Sequence, residues 1–250
     1  MFNKNQDEMK QTALITGASK RIGKALTEHL AEKGWNVAIH FNSSEKPAFD
    51  FVSSLSSKYP DQKFAAFKAN LEDISEVVLL VPNVFSAFGH IDLLVNNASV
   101  FDSSYLKETT VELFDSQINV NFKAPFILVR DFSNRSKSGN IINFVDTRIT
   151  SNKSDFAAYS LSKKALWELT KMAALELAPN IRVNAIAPGV TLPPDEKDEN
   201  YLLKLAQNIP MKKPGGIEPI LKSLDFILEN NHLTGHLLFA DGGENLGQNA

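Results

Sequence analysis

The chain has no cysteine. A disulfide framework, a thiolate nucleophile, Cys-ligated zinc and an iron–sulfur cluster are therefore excluded. Neither sign of charge is in surplus, with Lys+Arg 26 against Asp+Glu 29 and a formal net charge of −3. That balance lacks the basic excess of a nucleic-acid binder, and 43% hydrophobic residues are too many for a disordered chain. No apolar run approaches the ~18 residues that cross a bilayer, so no membrane partner is expected. Residues 1–10 are polar apart from Met1, Phe2 and Met9. They lack the apolar stretch of a signal peptide and read as a flexible N-terminus, which makes the cytoplasm the default compartment. The five histidines show no ligand spacing, and no metal site is read from them.

What is present is alternation. Short apolar or β-branched runs at 12–16, 36–41, 63–68, 91–95, 140–145, 181–186 and 236–239 are separated by segments of helical period at 20–33, 46–58, 74–88, 111–134, 157–177 and 217–229. Continuous apolar strands separated by helices predict an α/β fold, a doubly wound parallel sheet of about seven strands with helices on both faces. Residues 11–250 then form a single domain. The stretch 188–216 lacks clear period and carries Pro193, Pro194, Asp195, Glu196, Lys197, Asp198 and Glu199. Its 190–214 portion is expected to be a substrate flap.

The first strand runs into Thr16-Gly17-Ala18-Ser19-Lys20-Arg21-Ile22-Gly23 and then a helix. In a doubly wound sheet such a glycine turn lets amides at the helix start face a pyrophosphate. A tight turn with Gly23 packing helix on strand fits the same letters. At the end of the second strand, where a carboxylate would hold the ribose 2′-hydroxyl of NAD, the sequence is His40-Phe41-Asn42-Ser43-Ser44. With no carboxylate there, a 2′-phosphate can be met by His40, Ser43, Ser44 and the charge of Lys20, which favours NADPH. Ser43 and Ser44 equally fit a helix N-cap.

Tyr159 and Lys163 lie four apart, on one face of a helix. A cation within ~4–6 Å lowers a phenol pKa by roughly 1–3 units, which would make Tyr159 a general acid. Alone, the pair also fits a surface coincidence. It is accompanied by Asn96-Asn97-Ala98-Ser99, Asn121 and Asp146.

Taken together, these motifs resemble the short-chain dehydrogenase/reductase family, with its Rossmann-like fold, over nearly the whole chain. Thr16-Gly17 through Gly23 resembles the family's nucleotide loop, and Asn96-Asn97-Ala98 its strand-four motif. Tyr159 and Lys163 resemble its active-site pair, Asn121 its asparagine, Asn184 through Gly189 its nicotinamide-side loop and Asp241-Gly242-Gly243 its closing turn. The resemblance implies that Gly17, Ser19, Lys20, Arg21, Ile22, Gly23, Asn97, Ala98, Ser99, Pro188 and Gly189 line the cofactor, with Asn70 and Leu71 at the adenine. It further implies that Tyr159 donates the proton, Lys163 holds the nicotinamide ribose and lowers the Tyr159 pKa, and Asn121 maintains a water-linked proton path. A homotetramer built on the helices 111–134 and 157–177 is also implied; Phe114, Phe122, Phe126, Leu166 and Trp167 fit its interface or the core.

Two positions depart from the usual family pattern: Arg21 stands where a glycine is usual and Asp146 where a serine is usual. Both, with His40 and with Phe101 following Ser99, resemble the pteridine-reductase and dihydromonapterin-reductase branch. There the equivalents of Arg21, Ser99, Phe101, Asp146, Tyr159 and Lys163 form the pterin site, with the Phe and the nicotinamide sandwiching the ring. Some members carry an arginine where this chain has Ser43. The small-molecule substrate so implied is pterin-like. A carbonyl reductase acting on a ketone or 3-oxoacyl thioester, and a catalytically idle NADPH-binding protein, are the alternatives. Taken singly, Phe101 fits a core residue, Asp146 a cap at a strand end and Arg21 a solvated helix start.

Overall fold

The structure, a computed structural model, describes residues 10–193 and 198–247. The expected flexible N-terminus lies outside the described residues except for Lys10, as do residues 194–197 of the flap.

Seven strands form one parallel sheet: β1 (Thr12–Ile15), β2 (Asn36–Phe41), β3 (Phe64–Lys68), β4 (Leu93–Asn96), β5 (Gly139–Phe144), β6 (Ile181–Pro188) and β7 (Leu237–Ala240). Their order is β3-β2-β1-β4-β5-β6-β7. The chain winds outward from β1 in one direction, then returns to β4 on its other side. This reversal opens a crevice at the carboxyl ends of β1 and β4, where ligands bind in such sheets.

Both faces are covered, which is why the strands read as nearly continuous apolar runs. Side chains alternate across β1: Ala13 and Ile15 pack with α1 (Arg21–Glu32), α2 (Glu45–Lys58) and α8 (Glu218–Glu229), while Leu14 packs on the opposite face. That second layer contains α3 (Ile74–Phe88), α5 (Ala124–Arg135) and the far end of α6 (Ala157–Leu177), with Phe132 fully buried in it. Among the described residues no helix is long and apolar enough to cross a membrane.

Two expectations need correction. The helix read over 111–134 is divided into α4 (Val111–Ile118), a wide π turn (Asn119–Lys123) and α5. Pro125 stands in the first turn of α5; it has no N–H to continue the α-helical ladder, and a π turn absorbs the break. The flap is not without regular structure, because α7 (Glu199–Ala206) lies within it. Asp198 caps it by accepting from the Tyr201 amide at 3.2 Å, and Leu202, Ala206 and Ile209 bury one side of the segment. Of the helix aromatics, Phe114 and Phe126 are exposed, whereas Leu166 is core and Phe122 and Trp167 pack against it. The closing helix is α9 (Glu244–Gly247).

Candidate functional site

The turn between β1 and α1 is tied to the end of β4. Thr16 Oγ1 accepts from the amides of Asn97 (2.9 Å) and Ala98 (3.0 Å), and Asn97 Nδ2 donates to the Thr16 carbonyl at 2.9 Å. Gly17 has φ 63, and a Cβ on Gly23 would stand 2.1 Å from the Gly17 carbonyl oxygen. Both glycines are thus required, the first by backbone conformation and the second by close approach. Arg21 also has positive φ, 51, the region glycine occupies most readily. Its guanidinium donates to the carbonyls of Pro193 (2.6 Å) and Leu192 (3.2 Å), joining the nucleotide turn to the leading edge of the flap.

An anionic dinucleotide fits this cradle. The first-turn amides of α1 have no carbonyl of their own helix to bond, none of the first-turn residues is acidic, and Lys20 is exposed beside them. Ser19 is half-buried in the turn, and Ile22 lines the cleft with Asn97 and Lys163.

His40 does not reach outward to a phosphate. It is buried, its Nδ1 accepting from the Gly17 amide and its Nε2 donating to the Ala69 carbonyl, each at 3.0 Å. Burial lowers its pKa to about 4 despite the bond to Ala69, so it is a neutral brace. Ser43 is exposed and Ser44 half-buried; Ser44 occupies the N-cap of α2 without a side-chain cap bond. Asn70 is half-buried and turns its Oδ1 to the Glu72 amide, while the Leu71 side chain belongs to the core rather than the cleft.

A cavity of ≈350 Å³ at the same edge brings together Arg21, Ser99, Phe101, Asp146, Tyr159 and Lys163. Asp146 follows β5, and each of its oxygens has a partner. Oδ1 accepts from the Arg148 amide and Oδ2 from the Tyr159 hydroxyl, both at 2.8 Å. The cap reading and the chemical reading are therefore both satisfied.

The expected electrostatics are reversed at Tyr159. Burial pushes its pKa well above 10, and the charge and hydrogen bond of Asp146 push it further. Lys163, buried, donates to the Phe144 carbonyl at 2.9 Å and stands 5.7 Å from the Tyr159 ring centre. Burial lowers its own pKa to about 8 against the opposing pull of Asp146. A nearby carboxylate and desolvation outweigh a more distant cation, so the phenol is kept protonated.

Asn121, fully buried in the π turn, is engaged throughout by protein groups. Its Oδ1 accepts from Ser99 Oγ and the Val100 amide, and its Nδ2 lies within bonding distance of the Val100 carbonyl, Gln117 Oε1 and Ser162 Oγ. In this arrangement its side chain anchors the loop carrying Ser99 and Phe101. Pro188 and Gly189 line the cavity's other side. Phe101 is 55% exposed and stacks on Phe156 at 4.3 Å and 8°, with its ring in edge contact with Tyr159 at 4.6 Å.

Three neighbours were not singled out from sequence. Phe156 stands one helical turn before Tyr159, a spacing that was available. Arg148, stacked on Phe156 at 4.2 Å, and Glu244, after the Asp241-Gly242-Gly243 turn, carry no local signal.

Residues 11–201 match the family model described as short chain dehydrogenase. The chain is 32% identical over 244 residues to a 3-oxoacyl-acyl-carrier-protein reductase FabG of Staphylococcus aureus, covering 94% of this chain and 98% of that protein. Among solved structures it is similar to a FolM alternative dihydrofolate reductase 1 from Brucella canis complexed with NADP (TM-score 0.87, 34% identity, 94% of each chain). The Brucella suis protein, also with NADP, gives a TM-score of 0.89 at 33% identity over 94% of this chain and 95% of that one.

Proposed function

The chain belongs to the short-chain dehydrogenase/reductase family, and from that premise we propose that it is an NADPH-dependent reductase of a pterin-type ring: a dihydropterin, dihydromonapterin, dihydrofolate or oxidised pterin. The observation that carries this reading is the 2.8 Å bond from the Tyr159 hydroxyl to Asp146. A carboxylate at that place opposes a developing carbonyl oxyanion but suits a heterocycle with ring nitrogens to protonate. The similarity to the two FolM structures supports the same reading.

NADPH supplies the hydride. Its phosphates would lie against the start of α1 and Lys20, with Asn97 and Lys163 deeper in the cleft. Tyr159, kept neutral, holds a proton at its hydroxyl oxygen, and Asp146 orients that hydroxyl by accepting from it. Phe101 offers an apolar face to the ring, Ser99 Oγ an acceptor and Arg21 donors to its polar edge.

The similarity to FabG favours a second reading, reduction of a 3-oxoacyl thioester. NADPH oxidation followed in parallel with biopterin, dihydrobiopterin, dihydromonapterin, dihydrofolate and a 3-oxoacyl thioester separates them. Turnover of at least one pterin is expected, with Asp146→Ser lowering it about 100-fold and raising thioester turnover. Thioester turnover alone by the unaltered chain would establish the second reading, and NADPH binding without any turnover an idle protein.

A further inference from the structure

Beyond Asp146 the site widens into a second cavity of ≈450 Å³, one wall of which is α9. That short helix is firmly placed. Asp241 Oδ1 accepts from the Gly243 amide at 2.9 Å and Asp241 Oδ2 from the Asn245 amide at 2.8 Å, and Thr150 Oγ1, which donates to the Thr147 carbonyl at 2.8 Å, also lies 3.3 Å from the Asn245 carbonyl. The last contact sets α9 beside the turn following Asp146, and Glu244 lines the cavity that Asp146 also lines.

Glu244 is half-buried, and among the described residues its carboxylate accepts no hydrogen bond and joins no ion pair. Its neighbours are otherwise occupied. Asp146 already accepts from Tyr159 and Arg148, and Arg148 is paired with Asp155 at 2.9 Å and stacked on Phe156. Lys153 lies exposed at the rim. The cavity thus presents three carboxylates (Asp146, Asp155, Glu244) against two cations (Arg148, Lys153). Burial, then Asp146 and Asp241, push the Glu244 carboxyl up to about 7 while Arg148 opposes them, as expected of an acceptor with no donor.

We propose that Glu244 is a specificity residue: it accepts hydrogen bonds from a neutral, hydroxyl- or amino-bearing tail on the substrate and disfavours an anionic tail. The assignment rests on the pterin reading above and adds to it the chemistry of the substituent beyond the reacting ring. Above about pH 7, where Glu244 is ionised, a half-buried acceptor without a donor gains a charge-assisted bond from a hydroxyl group, whereas a carboxylate or phosphate meets like charge.

The test compares dihydromonapterin, whose tail is hydroxylated, with dihydrofolate, whose tail carries carboxylates. It measures kcat and KM with NADPH, and Kd by calorimetry on the NADP-loaded full chain, all above about pH 7, where Glu244 is ionised. The unaltered chain should prefer the hydroxylated substrate by about tenfold in kcat/KM; Glu244→Gln should abolish that preference through KM; Glu244→Lys should invert it. A purely structural role for Glu244 would not produce an inversion. The same preference in all three proteins, or a preference for the anionic tail in the unaltered chain, would overturn the role of Glu244 and leave the pterin reading standing. Failure of both pterins to bind the unaltered chain would overturn both.

Discussion

Asp146 Oδ1 holds the Arg148 amide and Asp146 Oδ2 the Tyr159 hydroxyl, so one side chain both shapes the turn after β5 and governs a proton. The family resemblance pointed to their meeting, but not to the consequence for the phenol. With Tyr159 held well above its ordinary pKa and Lys163 lowered to about 8, the member of this pair that titrates near physiological pH is the lysine. Its ammonium is present below about pH 8 and lost above, whereas the phenol stays protonated throughout. NADPH binding should therefore weaken as pH rises through about 8, in Tyr159→Phe as in the unaltered chain. Lys163→Arg, charged at every accessible pH, should bind with a Kd independent of pH across that range. Fluorescence titration of NADPH from pH 6 to about 10 reads this. A limb that vanished in Tyr159→Phe and persisted in Lys163→Arg would assign it to the phenol.

At the scale of elements, the junction of β1, α1 and β4 has the least room for change. A Cβ at Gly23 would meet the Gly17 carbonyl oxygen at 2.1 Å and Asn97 Nδ2 at 2.7 Å, so the start of α1 would have to move off the loop. Gly23→Ala should cost about 1–3 kcal/mol of stability and weaken NADPH binding by at least tenfold, measured by urea unfolding and fluorescence titration. Wild-type values for both would show that the junction can adjust. The glycine turn was legible because turn chemistry is local. The π turn was not, because apolar period records which face is buried, not which carbonyl each amide finds. Its place is set by Pro125 and by the bonds of Asn121 to Ser99 and Val100, more than twenty residues earlier. The helix α7 was missed for a related reason: the apolar spacing of Leu202, Ala206 and Ile209 is short and is flanked by proline and charge.

Across the whole molecule, His40 links β2 to the nucleotide turn through Gly17 and to the end of β3 through Ala69. Its folded pKa of about 4 lies below the ordinary 6.5, so the fold requires the neutral ring. The unfolded chain gains a proton first on acidification; stability is complete above about pH 6.5 and is lost as pH falls toward 4. Between pH 7 and 5 the His40 contribution should fall by about 2 kcal/mol. Urea unfolding of the unaltered chain against His40→Gln should show that difference as a gap that changes with pH. A gap constant across the range would place the proton elsewhere.

The sequence by itself determined the alternation of strands and helices, the glycine turn at the head of α1 and the helical spacing of Tyr159 and Lys163, because periodicity and turn chemistry arise within a few residues; Arg21 and Asp146 stood out through the family resemblance. The tertiary structure alone decided that β1 lies beside β4, that His40 is a buried neutral brace, that Tyr159 is held protonated and that Glu244 faces the site. Strand neighbours depend on which buried faces meet, and proton affinity on burial and on charges acting through space; both are settled by residues far apart in the chain.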